Sequence, residues 1–110
     1  MSQPKPIPVR AVCHDQRNLS DGQVCDVTVL GCEFRSPVAS TVPQFPRKTI
    51  VELNLLDEGT GRSVTIAVRI TEVLRKGGTW RYRLRWDGIP ELLAPYARTV
   101  EESLREAQTG

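Results

Sequence analysis

Histidine and cysteine are scarce in this chain of 110 residues, which has His14 alone and three cysteines, Cys13, Cys25 and Cys32. No two cysteines form a Cys-x-x-Cys pair, and one imidazole does not complete the clustered thiolate and imidazole set that zinc needs. The odd count also argues against a disulfide scaffold, so the thiols are expected to be reduced and to behave as small hydrophobes. Long apolar runs are missing too. Charges interrupt every apolar stretch within about ten residues, and no membrane insertion is expected. The start carries no charged region followed by an apolar one, which predicts a cytoplasmic protein or a piece of a longer chain. Without secretion, the sequon Asn18-Leu19-Ser20 has no acceptor role.

Charge of one sign is equally lacking. Lys+Arg 15 against Asp+Glu 13 leaves +2, too little for a protein that holds duplex nucleic acid by its phosphates. No Ser-His-Asp set, no glycine-rich phosphate loop ahead of a helix and no pair of catalytic carboxylates stands out. Neither an enzymatic role nor a cofactor is therefore expected.

What is present is an ordinary globular balance, 39% hydrophobic and 25% charged, enough for one core. Residues 1–8, with Pro4, Pro6 and Pro8, read as an extended arm, and residues 9–110 as a single domain. Period-two patterning then dominates. Val9, Ala11 and Cys13 mark a first strand, and the polar stretch from Gln16 to Asp21-Gly22 reads as a turn. Cys25, Val27 and Val29 mark a second strand that continues through Cys32 and Phe34, with a bulge or corner at Gly31, where the parity flips. The stretch from Ser36 to Arg47 carries three prolines and reads as a surface loop pinned by Val42 or Phe45.

Val51, Leu53 and Leu55 form the third stripe. Val64 to Ile70 form the fourth, which resumes at Val73 after a slip. Trp80, Tyr82, Leu84 and Trp86 form the fifth and are expected to fill the core. Turns fall at Asp57–Gly61 and Lys76-Gly77-Gly78. A capping box, Thr99 with Glu102, opens a short amphipathic C-terminal helix carrying Val100, Leu104 and Ala107 on one face. The expected fold is all-β, a small antiparallel β-barrel of five strands capped by that helix.

The run from Val24 to Phe34 resembles the signature of the PilZ domain family, Asp/Asn-x-Ser-x-x-Gly in a strand pair of a six-stranded barrel. It appears here as Asp26-x-Thr28-x-x-Gly31, and the order of strands, turns and helix is similar across residues 9–107. The resemblance implies a PilZ-like split barrel and a bacterial signalling module that binds cyclic di-GMP and relays it to a partner. The ligand contacts it implies are Arg10, Asp26, Thr28 and Gly31. Arginine suits this ligand because its planar fork matches guanine O6 and N7 or phosphate oxygens. The family's arm reads Arg-x-x-x-Arg, and Arg10 matches the second arginine while Pro6 occupies the first position.

An alternative is therefore a degenerate PilZ-like adaptor that has lost the dinucleotide and binds a protein partner. Its surface would be the ladder Arg81, Arg83 and Arg85, which alternates with the aromatic stripe and so faces outward. The plain alternative for the ladder is pairing with Glu33, Glu52 or Glu72 on neighbouring strands. For Asp26 and Thr28 it is a solvated strand face.

Overall fold

The computed structural model describes residues 7, 9–38 and 40–97. It contains six strands: β1 (Val9–His14), β2 (Leu19–Cys25), β3 (Gly31–Ser36), β4 (Ile50–Asp57), β5 (Ser63–Lys76) and β6 (Thr79–Arg85). They close into a barrel in the order β1-β2-β3-β6-β5-β4, and every pair is antiparallel. Closure removes the free edges that a six-stranded open sheet would expose. The all-β barrel expected from the alternating pattern is present, with one strand more than the pattern showed. The only helical segment among the described residues is a short 3-10 turn at Ala94–Tyr96. The expected helix from Thr99 to Ala107 lies outside the described residues, as do residues 1–6 and Pro8 of the proline-rich arm. No helix among the described residues is long and apolar enough to cross a membrane.

The extra strand comes from the region read as a turn followed by one bulged strand. Residues 19–22 pair with β1, residues 23–25 pair with β3, and the chain reverses between Cys25 and Gly31. Residues 24–34 are therefore a hairpin, not a continuous strand. β2 escapes the hydrophobic alternation because two of its inward positions are Ser20 and Gly22. Ser20 is buried to make an Oγ–Oγ hydrogen bond of 2.6 Å with Ser36. At Gly22, a Cβ would stand 2.4 Å from the Arg35 carbonyl oxygen and 2.5 Å from Phe34 Cζ. The Phe34 ring fills the space where a β2 side chain would otherwise point.

The core takes the inward stripes Ala11 and Cys13, Cys32 and Phe34, Val51, Leu53 and Leu55, Val68 and Ile70, and Trp80, Tyr82 and Leu84. The β3–β4 loop crosses one barrel end and inserts Phe45, which is fully buried, while Val42 stays exposed. Phe45 meets the Tyr82 ring edge-on at 5.4 Å between centroids, and Gln44 N–H donates to the Tyr82 hydroxyl at 3.1 Å. Trp80 Nε1 donates to the Ser40 carbonyl at 2.9 Å, so both inward aromatics of β6 hold this loop. Beyond β6, Trp86 and Leu93 are buried in the same core, and Arg62 links the β4–β5 turn to Glu91 at 3.2 Å. The slip read before Val73 is a β-bulge between Ile70 and Glu72.

Candidate functional site

The motif Asp26-x-Thr28-x-x-Gly31 occupies the β2–β3 hairpin loop and not a strand face, which corrects the reading of Asp26 and Thr28 as strand neighbours. The Thr28 hydroxyl accepts hydrogen bonds from Leu30 N–H at 3.1 Å and Gly31 N–H at 3.2 Å. Thr28 N–H donates to the Gly31 carbonyl at 2.8 Å and closes the turn. A hydroxyl here substitutes for a backbone acceptor, which serine or threonine does and valine does not. Asp26 is exposed and left-handed, with φ 51°, a conformation that aspartate tolerates better than most residues. Trp86 pins the loop twice, donating from its backbone N–H to Leu30 O at 3.2 Å and from Nε1 to Val29 O at 3.1 Å.

Gly31 faces Arg85 in the β3–β6 pairing, and its role is close approach rather than a bulge. A Cβ there would lie 1.9 Å from the Leu84 carbonyl oxygen. Arg10 is exposed on β1 opposite Leu56. The register that matches Ala11 with Gly22 puts Arg10 level with Gln23, on the strand beside the one that leads into the loop. The four predicted contact residues thus fall on one flank of the barrel. Three share a single turn, and Arg10 stands a few residues short of it.

The arginine ladder faces outward as its alternation requires, but its members differ. Glu33 is the hub of one network. Its carboxylate takes Arg35 Nε at 3.1 Å, lies 3.9 Å from an Arg81 terminal nitrogen, and accepts from the Cys25 thiol at 3.3 Å. Arg83 Nε lies 3.5 Å from Glu72. Arg85 has no carboxylate within ion-pair distance among the described residues, and its register partner on β5 is Arg69. Glu52 pairs instead with His14 at 3.5 Å. The plain pairing account therefore covers Arg81 and Arg83 and fails for Arg85. Arg69 escaped the sequence reading because nothing in an alternating strand says which charge on the next strand it will face.

Cys25, Asp26 and Glu33 bring ligand atoms within 4.8 Å of one another. The chemistry of that set is poor for a metal. Burial first, and the hydrogen bond to Glu33 second, push the Cys25 thiol up to about 12, so it stays a protonated donor. A ligating sulfur must be thiolate, and Glu33 already serves two guanidinium groups. Compared with protein-family models, curated proteins and solved structures, the chain matches none.

Proposed function

We propose that this chain is a PilZ-type module that binds cyclic di-GMP at the outer lip of the β2–β3 hairpin. One observation carries it: every specified position of the motif has its own physical duty where β2 turns into β3. Asp26 takes the left-handed residue, Thr28 closes the turn with its hydroxyl, and Gly31 admits the β6 backbone. Those joint duties support reading the three residues as one unit, and a six-stranded antiparallel barrel is what the resemblance implies. The exposed Asp26 carboxylate suits the N–H donors of a guanine edge, and Arg10 suits its acceptors or a phosphate.

A second reading, the protein adaptor, is favoured by Val29 and Leu30, two adjacent apolar side chains at 48% and 49% exposure on the same loop. Titration calorimetry of the whole chain with cyclic di-GMP separates the two. The receptor reading expects micromolar or tighter binding, about −8 kcal/mol or more favourable. It also expects a loss of about 2 kcal/mol in Arg10→Ala, the cost of a charge-assisted hydrogen bond. Absence of heat at millimolar ligand leaves the adaptor.

A further inference from the structure

The outer faces of β3, β6 and β5 line up in three rows, and their charge differs row by row. The middle row is Glu33, Arg83 and Glu72, with an acid on each side of the arginine. The next is Arg35, Arg81 and Leu74, and both of its arginines reach Glu33. The last is Gly31, Arg85 and Arg69. It has no acid, no side chain at Gly31, and two exposed guanidinium groups on directly opposed residues.

Opposed residues of an antiparallel pair have Cβ atoms roughly 5 Å apart, and like charges there repel. The other arginines of this face escape that repulsion by pairing with Glu33 or Glu72. Arg69 and Arg85 have no carboxylate within ion-pair distance among the described residues. Ile50, the β4 partner of Arg69, is 63% exposed at one end of the row, and Leu30 lies beside Gly31 at the other.

We infer that Arg69 and Arg85 form a phosphate-binding pair, receiving the phosphoryl oxygens of a ligand whose apolar part rests on Leu30 or Ile50. Two planar forks on opposed residues can each donate to the oxygens of a phosphodiester, and binding relieves their mutual repulsion. For the bearer of the phosphate the inference rests on the dinucleotide reading above, and it would add the second arginine contact that Pro6 denies the arm. The chemistry is shared by any small phosphorylated molecule.

The test follows the side-chain Nε–H NMR resonances of Arg69 and Arg85 in the whole chain, titrated separately with cyclic di-GMP and with inorganic pyrophosphate. Arg47, exposed in the β3–β4 loop, is the reference for loose ion attraction. Saturable shifts at Arg69 and Arg85 but not Arg47 support the pair. So does a weakening of about tenfold or more in the double variant Arg69→Ser, Arg85→Ser, given an unchanged melting temperature. Tight dinucleotide binding that the double variant leaves intact overturns the pair and leaves the proposed function standing. Saturable pyrophosphate binding with no response to the dinucleotide upholds the pair and overturns the dinucleotide as its ligand. Equal, non-saturating shifts at all three arginines overturn the pair.

Discussion

Replacing Gly31 by alanine tests the packing of the candidate site directly. The new Cβ would stand 1.9 Å from Leu84 O and 3.0 Å from both Leu84 C and Arg85 Cα. All three are β6 backbone atoms and cannot rotate aside. An ordinary carbon–oxygen contact needs about 3.3 Å, so β3 and β6 must part locally by about 1.4 Å. That shift strains the Thr28 N–H to Gly31 O bond of 2.8 Å and the Trp86 N–H to Leu30 O bond of 3.2 Å. Overpacking of this kind costs ~1–3 kcal/mol. Each hydrogen bond lost adds about 1 kcal/mol. With both bonds lost the sum, ~3–5 kcal/mol, is a large share of the ~5–15 kcal/mol that holds a domain together.

At ~4–8 °C per kcal/mol for a domain near this size, Gly31→Ala should melt at least ~12 °C lower than wild type. Gly77→Ala is the matched control, because that glycine has φ +61° and nothing within 4 Å of a Cβ. It should lose only the left-handed strain of about 1 kcal/mol. Thermal melts followed by circular dichroism, with urea titrations for the free energies, give both values. A Gly31→Ala chain melting within about 3 °C of wild type would refute the close approach of β3 to β6.

Three further outcomes follow from the geometry. Burial raises the Cys13 thiol from 9.0 to about 12 and raises Cys32 as well, so above pH 9 the unfolded chain releases protons that the folded one keeps. Stability should therefore fall as pH rises, by about 1.4 kcal/mol per buried thiol between roughly pH 8 and pH 10, and urea midpoints that stay flat across that interval would contradict it. Ser20→Ala or Ser36→Ala alone should cost about 1–3 kcal/mol, because the partner hydroxyl is left buried; the double variant should cost less than the two singles combined, as a double-mutant cycle in urea would show. Arg83→Ser with Arg85→Ser should leave the melting temperature nearly unchanged, since exposed ion pairs contribute ~0–1 kcal/mol, and a large drop would place them in a structural network.

Most of the barrel was legible because its inward positions are apolar and most of its outward ones are polar or charged. β1, β4, β5 and β6 each keep an unbroken apolar inward stripe, except where the β5 bulge moves it by one residue. β2 did not, because its inward positions at Ser20 and Gly22 respond to neighbours distant in sequence. Ser20 answers Ser36, and Gly22 makes room for Phe34. A strand whose inward face is shaped by another strand's side chains has no hydrophobic period to read. The same cause made the hairpin look like one bulged strand. Val27 is buried and Cys25 half-buried, so apolar residues run through a turn whose reversal rests on the left-handed Asp26 and the Thr28 hydroxyl.

The candidate site was legible as spacing but not as register, and the bulge in β5 is the reason. Outward positions run Ser63, Thr65, Ala67, Arg69 and then, after the shift between Ile70 and Glu72, Glu72 and Leu74. An unbulged strand keeping the first parity would turn Thr71 and Val73 outward and send Glu72 into the barrel beside Tyr82 and Leu84. Burying that carboxylate unpaired would cost far more than a bulge. The extra residue keeps Val73 inside and sets Glu72 against Arg83, while Arg69 meets Arg85 one row earlier. One local insertion therefore divides the arginine face into a row where acids answer the charge and a row where none does. The uncompensated row ends at Gly31, which adds no side chain to it because the β6 backbone stands where its Cβ would be.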